Sequence, residues 1–598
     1  MAEKIRSREE IAREDTWAME DLSASDAAWL EDLEKLKTLG AKLPEYAGKL
    51  SASAQTLLEY QKLGEEISVL LDSLANYAQR KSDEDTRNAV YQDLTGKLTK
   101  VWVQLGADTA FEVPELLSIS DEQMEKFYEE VPELNLYRRH FDSIRRKRAH
   151  VLSESEEKLL AMAGEMAGTP EEVYSLFADA DLTFRPALDA NGEEHPITQG
   201  SYIAAMESPD RTLRKNAFES LYAGFGAYKN TVAAMLAGQV KQLEFFSKAR
   251  HYTSPLEASL DATEVPVSVY HELIEAVHQN MDKMHRYMRL RKKLLGVSEL
   301  HMYDLYTPLV AASEERIPFA EAKKTVAQAL GVMGERYGKI LQEGFNNRWI
   351  DVYENTGKRS GAYSAGARVH PYVLLNYTGT LDSEFTLAHE MGHAIHSYLS
   401  NKTQPIVYSD YVIFVAEVAS TCNEALLMQH LLKTTTDKKQ RAYLINHFLE
   451  QFRTTLYRQT MFAEFELKMA ELSAQGVTLT ADVLCEEYRK LNALYYGEDV
   501  VLDEEIALEW ARIPHFYYNY YVFQYATGYA AAIALSEGIL SEGEPAVERY
   551  LGFLSGGCSK SPIELLKGAG VDMTTAEPVN RALAMFSKLL DEMEALTA

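Results

Sequence analysis

Two histidines spaced four residues apart, with a glutamate directly after the first, are the residues of this chain best suited to chemistry. They form the pattern His-Glu-x-x-His at His389, Glu390 and His393. On an α-helix, residues i and i+4 share one face about 6 Å apart along the axis. Two imidazoles placed in this way can bind one tetrahedral zinc ion. Glu390 is then placed to take a proton from a water activated by the metal. The pattern predicts a zinc-dependent hydrolase.

The pattern needs support from a third ligand before it identifies a metal site. Histidine accounts for 15 of the 598 residues. At that composition the pattern arises by chance in roughly 3% of chains. Two histidines packed in a helical core are the alternative interpretation.

Both histidines lie in a segment that the sequence predicts to be a helix. Apolar residues recur at helical spacing over residues 383–399, and Asp382 or Ser383 can cap the start. A turn-rich loop over residues 401–409 follows, and residues 410–430 are predicted to form a second helix. Helices joined by a short loop usually pack side by side, so side chains of the second helix can reach the histidine pair.

Two carboxylates on the second helix can complete the site. Past its first residue, this helix has only Glu417 and Glu424 as carboxylates. A carboxylate among apolar neighbours is costly to bury without a partner, and zinc is such a partner. We therefore predict Glu417 as the third ligand. Glu424, two turns further on the same face, is predicted to orient a ligand histidine by accepting its ring N–H. An exposed or helix-pairing carboxylate is the alternative for Glu424.

A third segment combines a histidine with a high density of phenols. Residues 513–529 contain His515 and six tyrosines. Imidazole N–H and phenol O–H groups can donate hydrogen bonds to the oxyanion that forms when water attacks a peptide carbonyl. An aromatic core stripe is the alternative, but the number of hydroxyls favours catalysis. Four tyrosines recur at helical steps and are predicted to share one helix face that starts near the histidine: Tyr518, Tyr521, Tyr525 and Tyr529.

A strand-like region precedes the histidine helix. It covers residues 361–380, where helix signals are few. An edge strand there can pair with an extended peptide and hold the scissile bond near the metal. The candidate peptide contacts are Gly361, Ala362, Tyr363 and Tyr377. An ordinary small sheet is an equally good interpretation.

Helical patterns dominate the remaining sequence. Amphipathic segments rich in Leu, Glu, Lys and Ala run through residues 20–180. The alternation around Asn191 and Gly192 then predicts a β-hairpin. We predict an N-terminal helical region at residues 1–200 that ends in this hairpin, and a catalytic zinc peptidase domain at residues 201–598.

Composition restricts the compartment and the partners. The length of 598 residues allows a large core and two lobes. Only three cysteines are present, which suits a reducing cytoplasm and does not form a zinc set. We expect no membrane span and no secretory signal, because no apolar run approaches 18 residues and the first ten residues lack an apolar core. The formal charge of −29 argues against nucleic acid and anionic membranes as partners.

Several segments taken together resemble oligoendopeptidase F, a member of the thimet oligopeptidase superfamily of zinc peptidases. The similarity extends over nearly the whole chain. The segments that carry it are Asp15–Leu22, Ser208–Glu219, Gly357–Ser364, Phe385–His396, Phe414–Thr421, His515–Tyr529 and Glu564–Met573.

The resemblance implies a mostly α fold: a large, helical, two-lobed zincin-type metallopeptidase with a small β-sheet next to the active-site helix and a substrate channel. It implies one Zn²⁺ bound by His389, His393 and Glu417, with Glu390 as the general base. His515 with Tyr521, Tyr525 or Tyr529 would face the substrate carbonyl. The implied activity is an oligoendopeptidase that cleaves internal bonds of short unfolded peptides.

Three other functions are compatible with parts of the pattern. A metallocarboxypeptidase of the same superfamily would share every ligand, but it also needs a group that captures the free C-terminus of its substrate. A non-catalytic peptide-binding protein that kept the fold would not require Glu390. A purely structural zinc site is usually closed and rich in cysteine, unlike this set of three ligands. The oligomeric state and the preferred cleavage residues are not predicted.

Overall fold

The computed structural model of the protein describes residues 5–310 and 316–598, and most of these residues are helical. The first α-helices in chain order are Asp26–Gly40 (α1), Ala54–Glu84 (α2), Ala89–Asp108 (α3), Glu112–Ser118 (α4), Asp121–Glu130 (α5), Arg138–Arg145 (α6), Glu154–Ala167 (α7), Thr169–Leu176 (α8), Gln199–Glu207 (α9), Arg211–Gly226 (α10), Lys229–Ala249 (α11), Pro255–Asp261 (α12), Val267–His278 (α13) and Met281–Leu295 (α14). The following ones are Phe319–Ala329 (α15), Gly334–Asn346 (α16), Leu381–Thr403 (α17), Ile413–Thr434 (α18), Lys438–Gln451 (α19), Arg458–Ala474 (α20), Ala481–Tyr496 (α21), Phe523–Glu542 (α22), Glu544–Leu554 (α23), Pro562–Gly568 (α24) and Glu577–Leu596 (α25).

Short strands form three small sheets. The strands are Ala187–Leu188 (β1), Glu194–His195 (β2), Leu300–His301 (β3), Ile350–Asp351 (β4), Tyr363–Ala365 (β5), Tyr372–Leu374 (β6) and Val500–Val501 (β7). Strands β1 and β2 form the predicted antiparallel hairpin, and Gly192 at its turn has φ of 82°. Strands β3 and β7 pair in parallel.

The chain folds as two compact units, each assembled from three segments. The first unit contains Met1–Ala149, Glu315–Gln429 and Leu535–Gly570, and the second contains His150–Glu314, His430–Ala534 and Val571–Ala598. The predicted domain boundary at residue 200 divides the chain along its sequence, whereas these units are defined in space. The boundary therefore stays a prediction. None of the helices within residues 5–310 and 316–598 is both long enough and apolar enough to cross a membrane.

A three-stranded sheet supports the histidine helix in the first unit. Its order is β4-β6-β5, with β6 parallel to β4 and antiparallel to β5, so β5 is an edge strand. The buried indole of Trp17 donates a hydrogen bond to the carbonyl of Val373 at 2.8 Å. Helix α17 packs against β5 and β6. The predicted small sheet next to the histidine helix is therefore present.

Candidate metal centre and active site

The two helices of the candidate site begin at other residues than the sequence predicted. Helix α17 starts at Leu381, and its cap is Thr380, whose side chain accepts a hydrogen bond from Ser383 N at 3.2 Å. The prediction of Asp382 or Ser383 as the cap was wrong, because both lie inside the first turn. Helix α18 starts at Ile413 and not at residue 410. At residue 410 the Asp410 carboxylate accepts a hydrogen bond from the next backbone N–H, at 2.9 Å.

Three ligand atoms from α17 and α18 converge on one point. His389 Nε2 lies 3.2 Å from His393 Nε2 and 3.4 Å from Glu417 Oε2. His393 Nε2 lies 3.5 Å from the same carboxylate oxygen. The three side chains are partly buried, and together they form one group that can hold a metal ion. The structure thus brings together the three residues that the sequence proposed as ligands.

The separations within this group match a tetrahedral zinc site. Zinc–nitrogen and zinc–oxygen bonds of about 2.0–2.2 Å in a tetrahedron place neighbouring ligand atoms about 3.3–3.6 Å apart. The observed separations of 3.2, 3.4 and 3.5 Å are close to this range. Two imidazole nitrogens and one carboxylate oxygen are also the donor types that zinc prefers in hydrolases. The residues present therefore fit one zinc ion.

Glu424 fixes which nitrogen of His389 faces the other ligands. Glu424 Oε1 lies 2.5 Å from His389 Nδ1, so Nδ1 donates to Glu424 and Nε2 is the nitrogen that faces the other two ligand atoms. Burial opposes the charged imidazole, but the hydrogen bond to Glu424 and the nearby carboxylates raise the pKa of His389 to about 9. Burial likewise opposes the charge of Glu417, while the hydrogen bond and charge of His393 lower its pKa to about 2. These four side chains form one coupled ion-pair group.

Glu390 is a buried carboxyl next to the ligand group. Its side chain is 6% exposed, and its Oε2 atom has no hydrogen-bond partner within residues 5–310 and 316–598. Burial raises the pKa of Glu390, and the charges of His389 and His393 oppose that shift. A carboxyl with a raised pKa can accept a proton and later release it.

Gly392 permits the close approach of α18 to α17. A Cβ atom at this position would lie 2.6 Å from Ser420 Cα and 2.7 Å from the carbonyl oxygen of Ala419. Both are backbone atoms, which cannot move aside as a flexible side chain does. The glycine of the His-Glu-Met-Gly-His segment therefore sets the distance at which Glu417 reaches the two histidines.

Two buried hydrogen bonds, which the sequence did not predict, tie three helices of the first unit together. The Asn423 side chain of α18 donates to the carbonyl of Ala388 on α17 at 3.0 Å. The hydroxyl of Tyr337 on α16 donates to Asn423 Oδ1 at 2.7 Å. The signal in the sequence was an asparagine inside an apolar helix, because a buried amide needs partners. The tie holds α18 in register with the residue that precedes His389.

The His515 segment does not form the continuous helix that the sequence predicted. Residues Pro514–Tyr517 form a short 3₁₀-helix, and α22 begins only at Phe523. Between them, Asn519 and Tyr520 have φ of 57° and 59°, a left-handed backbone that ends any helix. The prediction that Tyr518, Tyr521, Tyr525 and Tyr529 share one helix face was therefore wrong for the first two, which lie outside α22.

The turn nevertheless brings His515 close to three of the four predicted tyrosines. The ring of His515 lies 5.4 Å from Tyr518, 6.4 Å from Tyr521 and 6.2 Å from Tyr525, measured between centroids. Tyr521 and Tyr525 are 5.3 Å apart, edge to face. His515, Tyr521 and Tyr525 are partly exposed. Burial lowers the pKa of His515, which favours a neutral imidazole that can donate an N–H. We call His515, Tyr521 and Tyr525 the histidine–tyrosine group.

Tyr529 occupies a different environment. It is 4% exposed, and its ring packs edge-on against Phe452 at 5.0 Å. This is the position of a core aromatic residue. Its catalytic role stays a prediction.

The predicted peptide contacts lie along and beside the edge strand β5. Gly361 has φ of 81°, and its carbonyl accepts a hydrogen bond from the Asn376 side chain at 2.8 Å. The hydroxyl of Tyr363 donates to Asp83 at 2.5 Å, and that of Tyr377 donates to the carbonyl of Ile317 at 2.8 Å. Both phenols thus have structural partners. Any peptide contact at β5 is therefore expected from its backbone, and Ala362 directly precedes this strand.

Comparison with known proteins gives matches over the whole chain. Residues 204–585 match peptidase family M3, and residues 115–184 match oligopeptidase F. The oligopeptidase PepF of Bacillus subtilis strain 168 is 47% identical, over 100% of this chain and 89% of its own length. The chromosomal oligoendopeptidase F of Lactococcus lactis subsp. cremoris is 42% identical, over 99% of each chain. The crystal structure of oligoendopeptidase-F from Enterococcus faecium has a TM-score of 0.74 and 38% identity, covering 96% of this chain and 99% of that one.

These matches confirm the resemblance and the fold class that the sequence predicted. The family match alone covers more than half of the chain. The similar curated relatives are matched over most of their own length, so the similarity is that of whole proteins. The chain therefore belongs to peptidase family M3, among its oligoendopeptidase F members.

Proposed function

We propose that this family M3 peptidase is a zinc-dependent oligoendopeptidase that hydrolyses internal bonds of short unfolded peptides. The observation that carries the proposal is the convergence of His389 Nε2, His393 Nε2 and Glu417 Oε2 within 3.5 Å of one another. A set of three protein ligands leaves a fourth tetrahedral position for water or substrate, which is the arrangement of catalytic zinc sites.

Each residue of the proposed site has its own role. His389, His393 and Glu417 hold the ion, and Glu424 keeps Nε2 of His389 directed at it. Zinc, when bound, supplies Lewis-acid polarisation of the water and of the peptide carbonyl. Glu390 takes a proton from the attacking water and later passes it to the leaving amine. Its burial keeps bulk water from competing for that proton.

The histidine–tyrosine group is proposed to stabilise the negative oxygen that develops on the peptide carbonyl. Its support is the clustering of an imidazole and two phenols whose rings remain partly exposed. Donors of this kind act mainly in the transition state, where the charge is greatest. Tyr529 is the third candidate hydroxyl.

The substrate is proposed to bind as an added strand along β5. The strand lies at the edge of its sheet, so one row of its backbone N–H and C=O groups can pair with an extended peptide. Gly361, Ala362 and Tyr363 would contribute backbone contacts, with Tyr377 supporting the sheet from within the first unit. The three cysteines form no disulfide, which agrees with a cytoplasmic location as part of the proposal.

One assay tests the activity and the metal together. An internally quenched peptide, blocked at both ends, is incubated with the enzyme, with the chelated enzyme, and with the chelated enzyme after zinc is restored. We expect cleavage, loss of cleavage and recovery, in that order. Because both ends are blocked, cleavage also distinguishes an endopeptidase from a carboxypeptidase. Full activity after complete removal of metal would contradict the zinc mechanism.

A further inference from the structure

The turn between His515 and Tyr521 is strained. Asn519 and Tyr520 both adopt the left-handed backbone, with φ of 57° and 59°. Asparagine visits this conformation readily, but a bulky aromatic residue does so only when its surroundings enforce it. Strained backbone of this kind tends to persist at functional sites, where it fixes a geometry that a relaxed chain would not hold.

Three side chains from other helices hold this turn, and we call them the clamp: Gln239 of α11, Ser259 of α12 and Glu466 of α20. Gln239 Nε2 donates to the carbonyl of Tyr517 at 3.0 Å and to Asn519 Oδ1 at 2.8 Å. Ser259 Oγ donates to the carbonyl of Asn519 at 3.2 Å. These contacts reach Tyr517, which precedes the strained pair, and Asn519, its first residue, so they fix the path of the backbone into the turn.

Glu466 holds the strained tyrosine itself. Its Oε1 accepts the backbone N–H of Tyr520 at 3.1 Å, and its side chain is 6% exposed. The ring of Tyr520 is 4% exposed and packs edge-on against Tyr270 at 5.9 Å. A backbone N–H in this buried position needs an acceptor, and Glu466 is the one the fold provides. The buried ring and the bonded N–H together enforce the left-handed conformation at residue 520.

We propose that Gln239 and Glu466 are positioning residues for the reaction: by holding the left-handed turn, they fix Tyr521 and Tyr525 against His515. This inference rests on the proposed role of the histidine–tyrosine group. The turn occupies the five residues between the imidazole and the first phenol of that group, so a change in its backbone moves one ring relative to the other. Neither Gln239 nor Glu466 is proposed to touch the substrate.

The test uses the full-length enzyme and the blocked quenched peptide. Gln239→Leu removes two bonds to the turn and keeps similar volume. We expect kcat to fall about 10- to 100-fold with KM nearly unchanged, because a misplacement of about 1 Å in a catalytic group has effects of this size. Glu466→Leu should behave in the same way, whereas Glu466→Gln retains an acceptor for the Tyr520 N–H and should stay within about threefold of the parent enzyme. Zinc content should be normal in all three.

A matched control separates positioning from stability. Asn492 on α21 is fully buried, and its side chain donates to the carbonyl of Tyr488 at 2.9 Å, a bond within that helix. Asn492→Leu should lower the melting temperature and leave kcat of the folded enzyme near normal. Equal kcat losses in Asn492→Leu and Gln239→Leu would overturn the inference, because the effect would then be one of general destabilisation.

A double mutant distinguishes failure of this inference from failure of the proposed function. If the clamp acts through His515, Gln239→Leu costs little further activity in the His515→Ala background. A normal kcat in His515→Ala would contradict the role of the histidine–tyrosine group itself. A low kcat in His515→Ala together with a normal kcat in both Gln239→Leu and Glu466→Leu would overturn the clamp alone. If Glu466→Leu does not fold, Gln239→Leu and the double mutant still decide.

Discussion

At the scale of single residues, substitutions can distinguish the three proposed zinc ligands from the proposed base. Glu417→Ala and His393→Ala each remove one of the three atoms that lie within 3.5 Å of one another. We expect both variants to purify with little zinc. Glu390→Gln should keep its zinc and lose turnover, because it removes only the proton acceptor. Metal analysis and kcat on the same preparations check this, and full zinc in Glu417→Ala would move the ligand role to another carboxylate, with Glu424 first.

Single substitutions can likewise show which of the proposed oxyanion donors take part in catalysis. His515→Ala, Tyr521→Phe and Tyr525→Phe should lower kcat and kcat/KM together where the lost group binds the oxyanion, by about 10²- to 10³-fold for one donor. Tyr529→Phe tests the core interpretation, because its ring is buried against Phe452. A core phenol would instead lose roughly 1 kcal/mol of stability with little loss of turnover. Measuring kcat and melting temperature on all four variants decides which tyrosines belong to the site.

The ionisation of the buried Glu466 should make the stability of the folded protein depend on pH. Burial raises its pKa to about 8, while the hydrogen bond from Tyr520 N opposes the shift. The unfolded chain ionises this carboxyl at its ordinary value of 4.5, so between there and about 8 the unfolded state binds fewer protons. Stability from this residue is therefore complete at low pH and is lost as pH rises from 4.5 through about 8 and beyond, by about 5 kcal/mol in total.

Glu466→Gln removes this ionisation and keeps the acceptor. The free energy of unfolding of the variant should fall less steeply between pH 5 and pH 8 than that of the parent, as measured by denaturant titration at several pH values. Identical slopes in the two proteins would show that Glu466 ionises in the folded state much as it does in the unfolded chain.

Much of the site was predictable at this scale because its chemistry is local in sequence. His389, Glu390 and His393 follow from helical spacing, and Glu417 from the cost of an isolated buried carboxylate. His389, His393 and Glu417 do lie together, while the roles of all four residues stay predictions. The tie between Tyr337 and Asn423 was not predictable, because its partners are 86 residues apart and nothing in either local pattern points to the other.

At the scale of helices, the spacing of α17 and α18 depends on Gly392. In Gly392→Ala the added Cβ would meet backbone atoms of α18 at 2.6 and 2.7 Å, so the helices must separate. We expect a lower melting temperature and weaker zinc retention, because Glu417 moves with α18. Gly338→Ala on α16 is the matched control, since nothing lies within 4 Å of a Cβ there, and alanine favours a helix over glycine by up to about 1 kcal/mol. Normal zinc affinity in a folded Gly392→Ala variant would contradict this role.

Helical periodicity was a good guide to α17 and α18 and a poor one to the His515 segment. A repeat of 3.6 residues in the side-chain pattern shows which residues share a face only if the backbone is a right-handed helix throughout. At Asn519 and Tyr520 it does not, because the clamp and the buried ring of Tyr520 enforce another conformation. These contacts come from α11, α12 and α20, which are distant in sequence. The local pattern therefore could not reveal the break.

At the scale of the whole molecule, family membership and fold class were predictable because the motifs extend over the full length. The helical content, the small sheet beside α17 and the match to oligoendopeptidase F agree with expectation. The assembly of each compact unit from three segments was not predictable. Hydrophobic patterning shows that a segment has a buried face, but it does not show which distant segment covers that face.

Substrate size is the property that belongs to the molecule as a whole. A peptide that adds to β5 must offer free backbone N–H and C=O groups, which folded proteins already use in their own hydrogen bonds. The proposed function further restricts substrates to short chains. We therefore expect cleavage of short peptides and of a tryptic digest of casein, with intact casein left uncleaved at the same enzyme concentration. The digest is the matched control, because it contains the same sequences in short pieces. Product analysis by mass spectrometry checks this, and rapid conversion of intact casein to many fragments would show that chain length does not limit access to the site.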